Sequence, residues 1–177
     1  DESHNIYAAT LYHADLRIGQ LLDALDRLKI ANDTLVIFSS DNGPARGSPN
    51  TKLTLSYDSA TGPGYGIGAA RGITGGRRAY KGALMEGGVG VPFIARWPGK
   101  VPAGKVDKSS ILSAVDLLPT FCELAGLKLP RGYQPDGMSQ VKALMGNGNE
   151  LREKPLFWKM SAPWPAPKDR PDHWVAY

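Results

Sequence analysis

Leu11, Ala14, Ile18, Leu21, Leu25 and Leu28 recur at alternating steps of three and four. That spacing lays one apolar stripe along a helix predicted from about Ile6 to Lys29, with Ser3 or Asn5 as candidate caps. Asn32-Asp33 turns the chain into Thr34-Leu35-Val36-Ile37-Phe38, a run with a β-branched bias that reads as a strand buried on both faces. Helix, tight turn and buried strand in this order make half of a βαβ repeat and predict an α/β fold.

The pattern then disappears. Eleven of the 21 glycines lie between Gly62 and Gly90, and residues 44–90 keep neither helical nor strand periodicity. A loop this long within a compact domain is usually functional or disordered. Regularity returns in Val91-Pro92-Phe93-Ile94-Ala95-Arg96-Trp97, a predicted strand closed by Pro98-Gly99, with Pro92 marking its beginning or an edge. Ile111–Gly126 reads as a helix or helix pair: Asp116 caps the second part, Pro119 sits in a first turn and Gly126 ends it. Beyond Leu127 the chain loosens, with a short helix expected over Met138–Met145. From Lys154, prolines and tryptophans (Pro155, Trp158, Trp164, Pro165, Pro167, Pro171, Trp174) alternate with charges, and His173-Trp174-Val175-Ala176-Tyr177 reads as a strand. There is no internal repeat.

Composition narrows the class. With 177 residues, 42% hydrophobic and 21% charged, the chain is globular and long enough for a real core. Its 21 Lys+Arg against 17 Asp+Glu give a net charge of +4, which fits an anionic ligand without demanding nucleic acid. The single Cys122 excludes an internal disulfide and a cysteine-built zinc site; in its helical context it reads as a structural thiol. No stretch approaches the roughly 20 apolar residues of a membrane span, and Asp1-Glu2-Ser3-His4 does not resemble a signal peptide.

Candidate chemistry concentrates at Ser40-Asp41-Asn42-Gly43, directly after the first strand. Open α/β sheets bind ligands at the carboxyl ends of their strands, and a carboxylate beside an amide oxygen suits Ca²⁺ or Mg²⁺. Taken alone, Asn42-Gly43 reads as a turn. Arg71, Arg77, Arg78 and Lys81 place four cations within eleven residues, among glycines. They form either an anion-binding loop or a solvated basic loop. Gly76-Arg77-Arg78-Ala79-Tyr80-Lys81-Gly82 is not a Walker A loop, and Gly64-Tyr65-Gly66-Ile67-Gly68 lacks the preceding strand of a dinucleotide fingerprint. His4, His13 and His173 are scattered, and His13 lies off the apolar stripe.

In sequence order, these segments resemble the carboxyl-terminal part of the formylglycine-dependent arylsulfatase family. The resemblance rests on Asn32 through Pro44 with its Ser40-Asp41-Asn42-Gly43, and on Tyr80-Lys81-Gly82-Ala83-Leu84-Met85-Glu86-Gly87-Gly88. Val91-Pro92-Phe93-Ile94, Arg96-Trp97-Pro98-Gly99, Asp116-Leu117-Leu118-Pro119-Thr120 and Pro135-Asp136-Gly137-Met138 complete it. It implies an alkaline-phosphatase-like α/β fold, part of a mixed sheet sandwiched by helices. Residues 1–127 would be the second half of the catalytic domain and residues 128–177 the start of a smaller carboxyl-terminal subdomain.

The resemblance also implies a reaction: metal-dependent cleavage of a small-molecule or glycan sulfate ester, with no nucleic-acid or membrane partner. Asp41 and Asn42 would be ligands of a divalent cation, usually Ca²⁺ with Mg²⁺ as the alternative, and Lys81 would hold a sulfate oxygen. Glu86-Gly87-Gly88 would shape the turn beneath the site. The nucleophile would be a formylglycine made from Cys or Ser in a Cys/Ser-x-Pro-x-Arg motif. Cys122 is followed by Glu-Leu-Ala-Gly, and Ser161-Ala162-Pro163 meets Pro165 where Arg is required. The nucleophile is therefore expected in an amino-terminal part outside this chain, which alone would be inactive. Gly90 departs from the Arg often found after Glu-Gly-Gly-x. A periplasmic, secreted or lysosomal location follows by resemblance. The rivals are a phosphonate or phosphate ester hydrolase of the same superfamily and a non-catalytic polyanion-binding module.

Overall fold

The computed structural model describes residues 2–45, 72–148, 152–160 and 173–176, with side chains for 7–45, 72–148 and 152–159. Arg46, Tyr57-Asp58, Gly64–Gly68, Arg71 and Ser161–Pro163 lie outside the described residues, as do Trp164, Pro165, Pro167, Pro171 and the side chains of His4, His173 and Trp174.

Helix α1 spans Glu2–Arg27, so neither Ser3 nor Asn5 is its cap. It stops where Lys29 takes a left-handed backbone, φ 59°. Ile30 N then donates to Leu25 O at 3.1 Å, closing the helix in the Schellman manner. A short 3₁₀ turn, Ala31–Asp33, leads into β1 (Val36–Ser39), two residues later than the hydrophobic run begins. β1 pairs with β2 (Phe93–Arg96) in a two-stranded sheet. Between them lies one turn of helix, α2 (Glu86–Val89).

After β2, a second 3₁₀ turn (Ala114–Asp116) runs directly into α3 (Leu117–Leu124), and α4 (Val141–Leu144) follows. α3 ends at Gly126, φ 66°, with Leu127 N donating to Cys122 O at 2.8 Å. β3 (Phe157–Met160) and β4 (His173–Ala176) pair antiparallel, Phe157 opposite Ala176 and Met160 opposite His173.

Two compact units divide the chain, and the division passes through both β1 and β2. One holds Asp1–Ala31 and Phe38–Ile94, the other Asn32–Ile37 and Ala95–Tyr177. In the first, Ser39 Oγ donates to Pro92 O at 3.0 Å, so the end of β1 lies beside the start of β2. In the second, Trp97 Nε1 donates to Asn32 O at 2.7 Å.

Full burial of the first strand is not observed. Val36 and Ile37 are half-buried, and Phe38 is 44% exposed. A four-residue strand with one neighbour has no second layer among the described residues to cover it. The stripe of α1 is likewise open: Leu11, Ile18, Leu21 and Leu28 are all exposed.

The second unit is built around a buried ion pair. Asp116, 1% exposed, takes two hydrogen bonds from Arg152, from Nη1 at 2.7 Å and Nη2 at 2.8 Å. It also accepts from Ser113 N at 2.8 Å and Met138 N at 2.9 Å. Asp116 flanks α3 as expected, but its carboxylate ties its own turn at Ser113 to the distant stretches at Met138 and Arg152 and does not cap that helix. Burial acts to raise its pKa. The hydrogen bonds from Arg152, Met138 and Ser113, with the Arg152 charge, outweigh that and hold the carboxyl below its usual range. Thr120 Oγ1 donates to Asp116 O at 2.6 Å and accepts from Gln140 N at 2.9 Å, fixing α3 against the start of α4.

Candidate active site

The chain leaves β1 through Ser40-Asp41-Asn42-Gly43-Pro44. Asn42 Nδ2 donates to Asp41 Oδ1 at 3.0 Å and to Gly43 O at 3.3 Å, while Ser40 Oγ donates to Asn42 O at 2.9 Å. The turn is thus held by its own side chains. With the amide nitrogen engaged, Asp41 Oδ2 and Asn42 Oδ1 carry no recorded hydrogen bond among the described residues. Asp41 is exposed and Asn42 half-buried.

The segment around Lys81 folds onto this turn. Lys81 N donates to Pro44 O at 2.9 Å, and Gly43 N donates to Gly88 O at 2.8 Å. Gly87 N donates in turn to Arg78 O at 2.8 Å. Three strips of backbone, at 43–44, 78–83 and 87–88, are therefore laced together. Their closeness explains the glycines. A Cβ on Gly43 would stand 1.9 Å from Gly87 O, and one on Gly87 would stand 2.0 Å from Ala79 O. Any side chain at either position would push the strips apart. Ala79, between Arg78 and Tyr80, takes a left-handed backbone of φ 67°, a strained conformation for a residue with a Cβ. Strain of this kind persists where surrounding contacts over-determine the backbone, and functional sites are such places.

So the structure brings together the Asp41–Asn42 turn, the Lys81 backbone and the Glu86-Gly87-Gly88 segment. His13 Nε2 accepts from Arg17 Nε at 3.2 Å on the exposed face of α1, a local helix pair. Cys122 is half-buried in α3, in the other unit. Sequence reading did not anticipate the strained Ala79, nor the role of the Gly43 N–H. The density of glycine around both positions was the available sign that backbones approach closely there.

The donor set fits a hard divalent cation. It offers one carboxylate and one amide oxygen with open lone pairs, against the six to eight oxygens that Ca²⁺ takes. Two oxygens would supply only part of such a shell, and no group of three or more His, Cys, Asp or Glu residues is arranged for a metal among the described residues.

The sulfatase family, described as Sulfatase, matches residues 1–127. This chain belongs to the sulfatase family. The steryl-sulfatase of Homo sapiens is 34% identical over 155 residues, covering 87% of this chain and 24% of the relative. Arylsulfatase A of Homo sapiens is 32% identical over 152 residues, covering 86% and 26%. Among solved structures, Ps i-CgsB in complex with k-i-k-neocarrahexaose superposes with a TM-score of 0.70 at 31% identity, covering 92% of this chain and 31% of that chain. The PsFucS1 sulfatase from Pseudoalteromonas sp. gives 0.59 at 30%, covering 78% and 24%. The chain thus spans about a quarter of the length of the curated relatives it matches. Its fold is the α/β, alkaline-phosphatase-like fold of the sulfatases. Sulfatases generally use a divalent cation. No helix among the described residues is long and apolar enough to cross a membrane.

Proposed function

We propose that this sulfatase-family chain contributes to hydrolysis of a sulfate ester, with Asp41 and Asn42 as two ligands of a divalent cation and Lys81 as a cation on a sulfate oxygen. The observation that supports this reading best is the backbone bond from Lys81 N to Pro44 O, which seats the root of the Lys81 side chain on the Asp41–Asn42 turn. The hard oxygens favour Ca²⁺, with Mg²⁺ as the alternative.

The reaction adds water across the S–O ester linkage, releasing an alcohol and sulfate. Negative charge grows on the sulfur oxygens and on the leaving oxygen as the bond breaks. A bound divalent cation would supply Lewis-acid stabilisation of that charge. Lys81 would neutralise another oxygen through its ammonium. The glycine-laced backbone would hold the roots of these side chains in register. The nucleophile is assigned outside these residues, as a formylglycine. Cys122 sits in α3 before Glu-Leu-Ala-Gly, and Ser161 lacks the required Arg.

A carbohydrate sulfate is the favoured substrate class, because the structure of Ps i-CgsB that covers 92% of this chain holds k-i-k-neocarrahexaose. By the family resemblance, residues 1–127 would form the second half of the catalytic domain and 128–177 the start of a smaller carboxyl-terminal subdomain.

The test uses the complete protein on 4-nitrophenyl sulfate, with 4-nitrophenyl phosphate in parallel. Lys81→Ala is expected to lower kcat on the sulfate by roughly 10²–10³-fold. Asp41→Ala is expected to lower bound Ca²⁺ measured by atomic emission. Full turnover by Lys81→Ala, or unchanged metal content in Asp41→Ala, overturns the corresponding role. Faster cleavage of the phosphate than of the sulfate overturns the substrate.

A further inference from the structure

Arg77 and Arg78 stand out because their backbones are pinned while no ion pair holds their charges among the described residues. Arg77 N donates to Thr74 O at 3.2 Å, Arg77 O accepts from Thr74 Oγ1 at 2.6 Å, and Arg78 O accepts from Gly87 N at 2.8 Å. Both side chains are nevertheless exposed. The one hydrogen bond recorded for the Arg77 guanidinium is a long 3.5 Å contact from Nη1 to Gly90 O, and Arg78 and Lys81 have none among the described residues. No ion pair is recorded for any of the three among the described residues.

An ordinary solvated basic loop has a loose backbone and disperses its charges or pairs them with acids. Here the backbone is fixed by the same lacing that seats Lys81 on the Asp41–Asn42 turn, and three cationic residues fall within five positions of the chain. Like charges that come near one another repel, and a bound anion relieves that repulsion. Arg78 and Lys81 are separated by three residues, at most about 10 Å of backbone. That is the scale of the spacing between substituents on a sugar ring and its neighbour.

We infer that Arg77 and Arg78 form a second oxyanion subsite, which reads a further sulfate or carboxylate on a glycan whose scissile sulfate is held by Lys81. This rests on the sulfatase reading above. Planar guanidinium groups suit the assignment because they pair with sulfate or carboxylate oxygens through two parallel N–H donors. Gly90 leaves room for it: a Cβ there would already stand 3.5 Å from Arg77 Cδ and 2.6 Å from Glu86 O.

The test compares the complete protein with its Arg77→Gln, Arg78→Gln and Arg78→Lys variants. Four substrates are used: 4-nitrophenyl sulfate, a monosulfated disaccharide, its disulfated form, and its uronate-bearing form. The ratio of kcat/KM on the disulfated or uronate substrate to that on the aryl sulfate is expected to fall about tenfold to a hundredfold in each Gln variant, mainly through KM. Arg78→Lys should recover part of it. The disulfated and uronate arms show which oxyanion is read. Equal losses on all four substrates, or no change in the ratio, overturn the subsite.

Calorimetric binding of the disulfated disaccharide separates this inference from the sulfatase reading. If the protein cleaves no sulfate ester yet binds that disaccharide in a manner lost in the Gln variants, the reaction fails and the subsite stands. Binding indifferent to both arginines overturns the subsite whatever the activity.

Discussion

Asp116 shows how much one buried side chain carries. Its carboxylate joins Ser113, Met138 and Arg152, so three stretches of the second unit meet on two oxygens. Asp116→Asn would leave the Arg152 guanidinium, 7% exposed, against a neutral amide. Breaking a buried pair in this way costs about 3–5 kcal/mol. The pH dependence has a definite sign. The folded pKa lies below the unfolded value of about 3.9. The unfolded chain therefore takes up the proton first, and the stability is present above about pH 4 and lost as pH falls through the folded value. Asp107 titrates in the same direction, held down by the Ser110 hydroxyl and then by the backbone and side chain of its serine neighbours. It persists in the variant, so the difference between the two profiles reports Asp116. Urea denaturation from pH 7 to pH 3 is expected to show the wild type losing its advantage over Asp116→Asn in acid. Parallel profiles would mean that the pair is not ionised in the folded protein.

At the scale of elements, α1, β1, β2, α3, α4 and β4 lie close to where local pattern put them, because local pattern encodes local structure, whereas α2 and β3 were not anticipated. The stripe from Leu11 to Leu28 gave α1, Phe93-Ile94 gave β2, and Gly126 ended α3 as glycine does. What was not legible depends on contacts between distant residues. Nothing local distinguishes Arg152 from other arginines, because its partner is 36 residues away. Nor does the sequence reveal that Gly87 is glycine because the carbonyls of Arg78 and Ala79 crowd it, their oxygens 2.5 and 2.0 Å from where a Cβ would stand. Asp41, Asn42 and Lys81 were picked out by order and resemblance. Their chemical roles await the variants proposed above. The lacing itself is testable. Gly87→Ala is expected to destabilise this region by more than the roughly 1–3 kcal/mol of ordinary overpacking, because rigid backbone has to yield. Amide hydrogen exchange should accelerate at Gly43 and Lys81, whose N–H groups donate across the lacing. Exchange at Gln140, which donates to Thr120 in the other unit, should stay as it was. Unchanged protection at Gly43 would show that the close approach is not maintained in solution.

For the whole molecule, the decisive feature is how little apolar surface the described residues cover. Leu11, Tyr12 and Leu21 on α1, Leu28 just beyond it, Phe38 on β1 and Ile94 on β2 are each 44–66% exposed. Side chains of this size normally gain about 1.5–3 kcal/mol when buried, so these exposed groups leave apolar surface available for binding. The curated relatives are about four times the length of the matched stretch. Two consequences follow for the 177 residues studied in isolation. They should bind the dye ANS strongly in native buffer, with fluorescence falling when Leu11, Leu21 and Leu28 are changed together to Gln. They should also hydrolyse no 4-nitrophenyl sulfate, because metal ligands and an ammonium stabilise charge but cannot replace a covalent nucleophile. The measurement sets the isolated chain beside the complete protein at equal concentration with excess Ca²⁺. Turnover approaching that of the complete protein would mean that the nucleophile lies within these residues and that the assignment of Asp41, Asn42 and Lys81 as partners to an outside group is wrong.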